Sequence, residues 1–229
     1  MINIKDNSID LILINNKENK NVNEELHRAV KPGGYLFGID KPHKSHNSVC
    51  DIEDIGFIIK DSISYFFKEN EDVKQDVICL AMKPLSEKTF AENVMKWGTG
   101  GLNIDGCRVG NFKNTTPSGI NRYNQNYVKD GANRKKINVD IIDGVSGRYP
   151  ANFIISEDVA PVLDEQSKEA SRYFKNVDSY KELLKYIAIM GLPPKQGKVL
   201  FIGFNNAEEI IKEINNENGT SYEYVGGMN

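Results

Sequence analysis

The chain has 229 residues, 39% hydrophobic and 27% charged, with a formal net charge of −3. This size and composition suffice for one packed domain, with or without an inserted module. No apolar run approaches the roughly 20 residues that a membrane-spanning helix needs, and the negative net charge argues against indiscriminate nucleic-acid binding over the whole surface.

The amino terminus, the cysteines and the histidines indicate a cytoplasmic protein without metal. The first residues lack the apolar core of a signal peptide, so we expect a cytoplasmic location. Cys50, Cys79 and Cys107 are odd in number and widely spaced, which indicates reduced thiols rather than a disulfide framework or a zinc site. His43 and His46 lie three residues apart, but no second ligand pair accompanies them, so we expect no metal site.

The first part of the chain has a β-α-β-α-β pattern. The run 9–14 is almost entirely apolar, which predicts a buried parallel strand. Lys-Pro-Gly-Gly at 31–34 predicts a helix stop, because glycine suits the left-handed cap and proline cannot continue a helix. The other predicted elements are a helix at 23–30, a strand at 35–40, a helix at 47–55, and runs at 57–67 and 76–82 that can form an antiparallel pair.

The remainder contains a long stretch without periodicity and then a second α/β part. Residues 85–143 are rich in turn-forming residues, and we interpret them as an inserted functional segment or a partly disordered one. Regular structure resumes with a strand at 152–155, a helix at 179–190, a strand at 199–204, a helix from about 207 and a strand at 221–225. The whole pattern predicts an α/β fold with a doubly wound sheet.

Several tracts share the pattern of one protein family. They are 6–13, 30–36, 52–57, 83–94, 97–108, 147–153 and 192–200. In these tracts the chain resembles the amino-methyltransferases of DNA, which methylate adenine N6 or cytosine N4 with S-adenosylmethionine. It resembles the subgroup whose catalytic half precedes its cofactor half. The tract 83–108 is specific, whereas Lys-Pro-Gly-Gly alone occurs in many methyltransferases.

The resemblance implies a division of the chain. A Rossmann-like methyltransferase sheet, truncated at the ends of this chain, would have its catalytic half at 1–84 and its cofactor half at 151–229. A target-recognition segment would occupy 85–150 between them. Within that segment, residues 108–148 contain eight basic and three acidic residues, a charge of +5 that leaves −8 for the rest of the chain.

The basic segment has two interpretations. Either its cations neutralise phosphates while Phe112, Tyr123 and Tyr127 stack on bases, or it is a solvated loop whose charges have no role. We prefer the first, because the resemblance places target recognition here. The candidate nucleic-acid residues are Arg108, Lys113, Arg122, Tyr123, Tyr127, Lys129, Arg134, Lys135, Lys136 and Arg148.

The catalytic motif of the family is altered in this chain. After the first strand the family has Asp/Asn-Pro-Pro-Tyr/Phe, in which polar groups accept hydrogen bonds from the target amine and the ring stacks the flipped base. The matching positions are Asn15, Asn16, Lys17 and Glu18. Asn15 can still accept a hydrogen bond, but the prolines and the ring are absent, and Glu18 would repel phosphates.

The cofactor motifs are altered as well. The family turn Asp-Pro-Phe-x-Gly-x-Gly matches 201–207, where both later glycines are absent. Asp178 stands where the family has a lysine, and Met228 lies near the position of the acid that binds the ribose hydroxyls. The vestigial cofactor positions are therefore Phe201, Gly203, Asn205, Ala207, Asp178 and Met228.

Four altered pieces of one site on a retained scaffold indicate a pseudoenzyme. We expect a catalytically inactive DNA-methyltransferase-like protein that binds DNA, pairs with an active methyltransferase subunit, or does both. It would need no cofactor of its own, and S-adenosylmethionine would bind only if the pocket is functional. One alternative is an active S-adenosylmethionine-dependent adenine-N6 or cytosine-N4 methyltransferase. Another is a protein-interaction decoy that presents its acidic remainder to a partner.

Overall fold

An eight-stranded sheet forms the centre of the computed structural model, which describes residues 4–16, 23–113, 146–149 and 152–226. The strand order is β10-β9-β1-β2-β4-β3-β7-β8. The strands are β1 Ile9–Asn15, β2 Val30–Asp40, β3 Ile58–Glu69, β4 Asp72–Met82, β7 Phe153–Ser156, β8 Lys175–Val177, β9 Gln196–Ile202 and β10 Ser221–Val225. Two further strands, β5 Val109–Lys113 and β6 Ser146–Arg148, pair with each other.

Helices cover both faces of this sheet. They are α1 Glu24–Ala29, α2 Ser45–Asp54, α3 Phe90–Trp97, α4 Ala160–Gln166, α5 Tyr180–Gly191 and α6 Ala207–Asn218. One core lies between the sheet and the pair α5 and α6, and a second lies between the sheet and the pair α1 and α2. The predicted doubly wound α/β fold class is thereby confirmed.

Parallel pairing dominates the sheet and the predicted antiparallel pair is present. β1 runs parallel to both β2 and β9, while β4 is antiparallel to β2 and β3. The side chains of β1 from Ile9 to Ile14 are all buried, as its apolar run predicts. The parallel strands therefore align their carboxyl ends along one edge of the sheet, here called the carboxyl edge. The opposite side is the amino edge.

Two helices, α3 and α4, and three strands, β5, β6 and β8, were not predicted from the sequence. α3 lies within 85–143, where no periodicity is visible, and α4 and β8 lie between the predicted strand at 152–155 and the helix at 179–190. α3 begins at a capping box, in which Thr89 accepts from the backbone N–H of Glu92 and Glu92 accepts from that of Thr89. About half of the predicted segment 85–150, residues 114–145, lies outside the described residues. The three-part division of the chain therefore remains a prediction.

The Lys-Pro-Gly-Gly segment does not cap α1, so that prediction is wrong. α1 ends at Ala29, and its C-cap Val30 is already extended and begins β2. The glycines serve close packing instead. A Cβ atom at Gly34 would lie 2.7 Å from Val30 Cγ1 and 2.8 Å from the carbonyl oxygen of Asp10. The segment is thus the start of β2, and it can approach β1 closely only because its residues here are small.

We expect Gly34→Ala to lower the free energy of unfolding by about 2 kcal/mol, because overpacking against backbone forces strands apart. Gly101→Ala is the matched control, since a Cβ at Gly101 has no heavy atom within 4 Å. Its effect should stay within about 0.5 kcal/mol. Urea denaturation followed by circular dichroism measures both variants. Equal stabilities would show that β2 can shift to accommodate the methyl group.

A lysine–glutamate network joins α5 to α6. Lys185 is 5% exposed and its Nζ lies 2.9 Å from Glu182, 2.8 Å from Glu213 and 2.6 Å from Glu217. Hydrogen bonds from Lys181 and Lys185 lower the pKa of Glu213 to about 2. These contacts join α5 to α6 on one face of the sheet. Among the described residues, no helix combines the length and apolar character needed to cross a bilayer.

His27 on α1 is a partly buried imidazole whose Nε2 atom is enclosed by the protein. Its Nε2 atom has no hydrogen-bond partner among the described residues, and its ring packs edge-on against Phe57 at 5.2 Å. Burial, and next the charge of Lys83, lower the pKa of His27. The unfolded chain therefore binds this proton more tightly than the folded chain. The contribution of His27 to stability is complete above its unfolded pKa of about 6.5 and falls as the pH drops below it.

We therefore expect His27→Leu to flatten the pH dependence of stability between about pH 5 and 7. His43→Gln is the control, because His43 is exposed and should leave the slope unchanged. Urea midpoints measured across this pH range test the pair. An unchanged slope in His27→Leu would contradict the assignment.

Candidate functional site at the carboxyl edge of the sheet

The topological switch point of the sheet lies between β1 and β9. From β1 the chain moves through α1 to β2 on one side, and from β9 it moves through α6 to β10 on the other. The helices of these two units lie on opposite faces. In open α/β sheets, ligands bind outside the carboxyl ends of the strands at this point. The candidate site is therefore where Asn15 ends β1 and Gly203 follows β9.

The two strand ends at the switch point are bridged by a side chain. Asn15 Nδ2 donates to the carbonyl oxygen of Gly203 at 3.3 Å. Gly203 has φ +77°, and a Cβ there would lie 3.1 Å from the carbonyl oxygen of Asn15. Glycine at this position thus permits contact between the two strand ends. One catalytic position and one cofactor position of the sequence analysis are in direct contact.

The turn from β9 to α6 is short and its aromatic side chain folds back onto the sheet. The ring of Phe204 packs edge-on against Phe201 at 5.5 Å, and Phe201 is buried in the core. Asn205 is exposed, and Ala207 is buried as the first residue of α6. Asn206 is the N-cap residue of α6, but its side chain makes no capping hydrogen bond.

The first turn of α6 carries two glutamates, which are paired with lysines. Glu208 lies 2.7 Å from Lys212, and Glu209 lies 2.7 Å from Lys181 on α5. Acids at a helix amino terminus interact favourably with the helix dipole and so stabilise the helix. They also place negative charge where a Rossmann-type fold normally leaves free backbone N–H groups for a ligand.

These residues do not fit S-adenosylmethionine in the manner that the resemblance implies. The described turn offers one glycine, and that glycine is held against β1. Its aromatic residue, Phe204, packs against Phe201 of β9, and the helix that follows begins with two glutamates. Asp178 is exposed next to the amino end of α5, where its carboxylate accepts from Ser179 Oγ at 2.8 Å. Met228 lies outside the described residues.

A buried polar cluster lies beside the switch point on the other face. Asn16 donates to Asp40 at 3.3 Å, and Ser48 donates to the other carboxylate oxygen at 3.0 Å. Burial raises the pKa of Asp40, while the hydrogen bonds from Asn16 and Ser48 act in the opposite direction. The second asparagine of the altered catalytic motif therefore binds the end of β2. Lys17 and Glu18 lie outside the described residues.

An acidic cavity of about 510 Å³ opens farther along the carboxyl edge. It lies where β3, β7 and β8 end. Tyr65, Phe67 and Tyr180 form its aromatic wall, with Tyr65 and Phe67 stacked at 5.3 Å. Its carboxylates are Asp76, Glu157, Asp158 and Asp178. Asp76 is fully buried and lies 3.3 Å from Lys41 Nζ. The wall therefore presents more negative than positive charge.

Few of the predicted nucleic-acid residues fall on described parts of the chain, and two of them have local partners. Arg108 contacts Asp105 at 2.8 Å and the carbonyl oxygen of Gly147 at 3.4 Å. The guanidinium of Arg148 lies 4.3 Å from the ring centre of Tyr173 and donates to its carbonyl oxygen. Lys113 ends β5. Outside the described residues lie Arg122, Tyr123, Tyr127, Lys129, Arg134, Lys135 and Lys136.

Three further residues at this edge, Asp40, Asp76 and Tyr180, were not among the predicted site residues. Asp40 directly follows the apolar part of a predicted strand, so its place at a carboxyl end could have been recognised. Asp76 and Tyr180 carry no such signal, because their proximity depends on the pairing of β3 with β4 and β7. Among the described residues, no group of three or more histidines, cysteines or acids is placed to hold a metal ion.

Comparisons with known proteins find similarity at the level of the fold. No family model and no curated protein matches the chain. The crystal structure of M1.HpyAVI matches at a TM-score of 0.47 and 11% identity, over 97% of this chain and 83% of that one. The crystal structure of the M1.HpyAVI-SAM complex matches at a TM-score of 0.46 and 12% identity, over 99% of this chain and 84% of that one. The PvuII DNA methyltransferase (cytosine-N4-specific) matches at a TM-score of 0.48 and 10% identity, over 98% of this chain and 76% of that one.

Proposed function

We propose that this chain is a catalytically inactive DNA-methyltransferase-like protein. It contacts DNA through the basic segment 108–148, alone or as the non-catalytic subunit beside an active methyltransferase. The observation that carries the proposal is the bridge from Asn15 to Gly203. It occupies the point at which a methyl donor and a target base would have to meet.

The cofactor half of the site supports this proposal through its charge and shape. A nucleoside-like ligand needs backbone N–H groups that it can approach closely. Here Phe204 packs over the sheet and Glu208 and Glu209 begin the helix. A ligand entering between β1 and β9 would have to break the side-chain bridge and displace the ring.

The base-binding half supports it as well. Asn15 and Asn16 each donate within the protein, so their amides stabilise strand ends. The neighbouring cavity carries four carboxylates. Like charges repel, so a phosphate backbone is disfavoured at this edge. DNA contact is therefore assigned to the basic segment, whose charge of +5 is opposite to that of the rest of the chain.

Calorimetric titration of S-adenosylmethionine into the purified chain tests the inactive site. We expect no saturable heat up to millimolar cofactor. Micromolar binding would contradict the proposal, and methyl transfer to DNA by the chain alone would establish the active-enzyme alternative. Asn15→Ala provides a diagnostic variant, because a gain of cofactor binding on removing the bridge would show that the bridge itself closes the cleft.

DNA binding measured at several salt concentrations tests the contact surface. Replacing Arg134, Lys135 and Lys136 by glutamine should lower the slope of log affinity against log salt by about 2 to 3, if each neutralises one phosphate. The matched control replaces three exposed lysines elsewhere, Lys44, Lys60 and Lys88, and should leave the slope nearly unchanged. Equal losses in both triple variants would point to overall charge, and capture of a protein partner without DNA retention would favour the decoy function.

A further inference from the structure

A second cavity lies at the amino edge of the sheet, on the side away from the candidate site. Its volume is about 610 Å³, within the range of roughly 300–1,000 Å³ that is usual for small-molecule sites. Trp97, Pro193 and Pro194 supply its flat apolar surfaces. Lys195, Gln196 and Ser221 supply polar groups beside them. The switch-point residues take no part in it.

The walls of this cavity are held in place by hydrogen bonds. Trp97 Nε1 donates to Ser86 Oγ at 2.7 Å, which fixes the indole at the end of α3. The carbonyl oxygen of Pro193 accepts from Tyr222 at 2.7 Å, and that of Lys195 accepts from the backbone N–H of Ser221 at 3.0 Å. A preformed site loses little conformational freedom when a ligand binds.

One cation in the cavity is left for a ligand. Lys31 pairs with the buried Asp10 at 2.7 Å, and Lys198 pairs with Glu223 at 3.0 Å. Lys195 is exposed and makes no ion pair with any residue that the structure describes. With the other two pairs neutralised, the local charge is about +1. The cavity therefore suits a ligand with a flat ring and an anionic group.

We propose that this cavity binds a nucleoside monophosphate group, with its base against Trp97 and the two prolines and its phosphate on Lys195. An aromatic side chain stacks on any base, and an ammonium group binds phosphate as a point charge. The group could be a free mononucleotide or the phosphorylated end of a nucleic-acid strand. This site is separate from the switch point and does not depend on the proposed function.

The single tryptophan of the chain gives a direct assay. Adenosine 5′-monophosphate should quench the fluorescence of Trp97 saturably, adenosine should bind more weakly, and inorganic phosphate alone should not quench. Lys195→Gln should weaken binding of the monophosphate about tenfold, toward the affinity of adenosine. Lys60→Gln, another exposed lysine, is the control and should change nothing.

Calorimetry with Trp97→Leu provides a second measurement that needs no reporter, and about a tenfold loss of affinity is expected. Single-stranded oligonucleotides with and without a 5′-phosphate distinguish the two sources. Preference for the phosphorylated strand over the free nucleotide assigns the site to a strand end, and the reverse assigns it to a free nucleotide. Absence of saturable quenching, or equal affinity in the wild type and Lys195→Gln, would overturn the proposal.

Discussion

Replacing Asn93 by alanine is expected to lower the free energy of unfolding by about 3 kcal/mol, because a fully buried amide then leaves its partners unsatisfied. Asn93 Nδ2 donates to the carbonyl oxygens of Pro32 and Thr99, both at 2.8 Å. Its Oδ1 accepts from the backbone N–H of Ser86 at 3.2 Å. One side chain therefore joins α3 and the loop after it to the start of β2.

Chemical denaturation followed by circular dichroism measures this effect. Asn47→Ala is the matched control, because Asn47 is exposed on the surface of α2 and should cost no more than about 0.5 kcal/mol. A loss below about 1 kcal/mol in Asn93→Ala would mean that water or a rearranged loop replaces the lost hydrogen bonds.

Asp10→Ala should have a comparably large effect, a loss of about 3 kcal/mol, because it removes one partner of a buried charge pair. Asp10 is 2% exposed. Its two oxygens contact Lys31 Nζ and the backbone N–H of Lys198, each at 2.7 Å. The carboxylate thus joins β1 to both of its neighbours at the amino edge.

Asp72→Ala is the matched control, because it removes one partner of an ion pair at the surface. Asp72 lies 3.0 Å from Lys74, and their side chains are 75% and 41% exposed. Solvent screens such a pair, so its loss should cost about 0.5 kcal/mol or less. Thermal unfolding of both variants gives the comparison. Similar losses at the two positions would contradict the role assigned to Asp10.

The central strands β1 and β9 could be predicted because burial on both faces imposes a continuous apolar run. The runs at 9–14 and 199–204 have this property, and they correspond to β1 and β9. α3 escaped because Phe90, Val94 and Met95 remain exposed and only the polar Asn93 is buried, so an inward apolar face is absent. Its capping box, Thr89 with Glu92, was the available signal.

The residues at the switch point could be predicted from the sequence, but the contacts of the polar residues around them could not. Asn15 and Gly203 were singled out because a motif resemblance marks their positions, and the fold brings them together. The pairing of Asn16 with Asp40 joins residues 24 positions apart and depends on how β1 and β2 align. Polar residues in strands look alike in a sequence, and only the sheet register decides which of them meet.

The position of β1 has a consequence for how the chain reaches its native state. β1 is central in the sheet, yet one of its two neighbours is β9, which follows almost 190 residues later in the chain. Such distant pairing slows folding, because a large loop must close before the contact forms. During synthesis, the side of β1 that pairs with β9 keeps its backbone N–H and C=O groups unpaired, beside exposed apolar side chains, until β9 has been made. We infer that the newly made chain depends on chaperone shielding more than its modest size suggests.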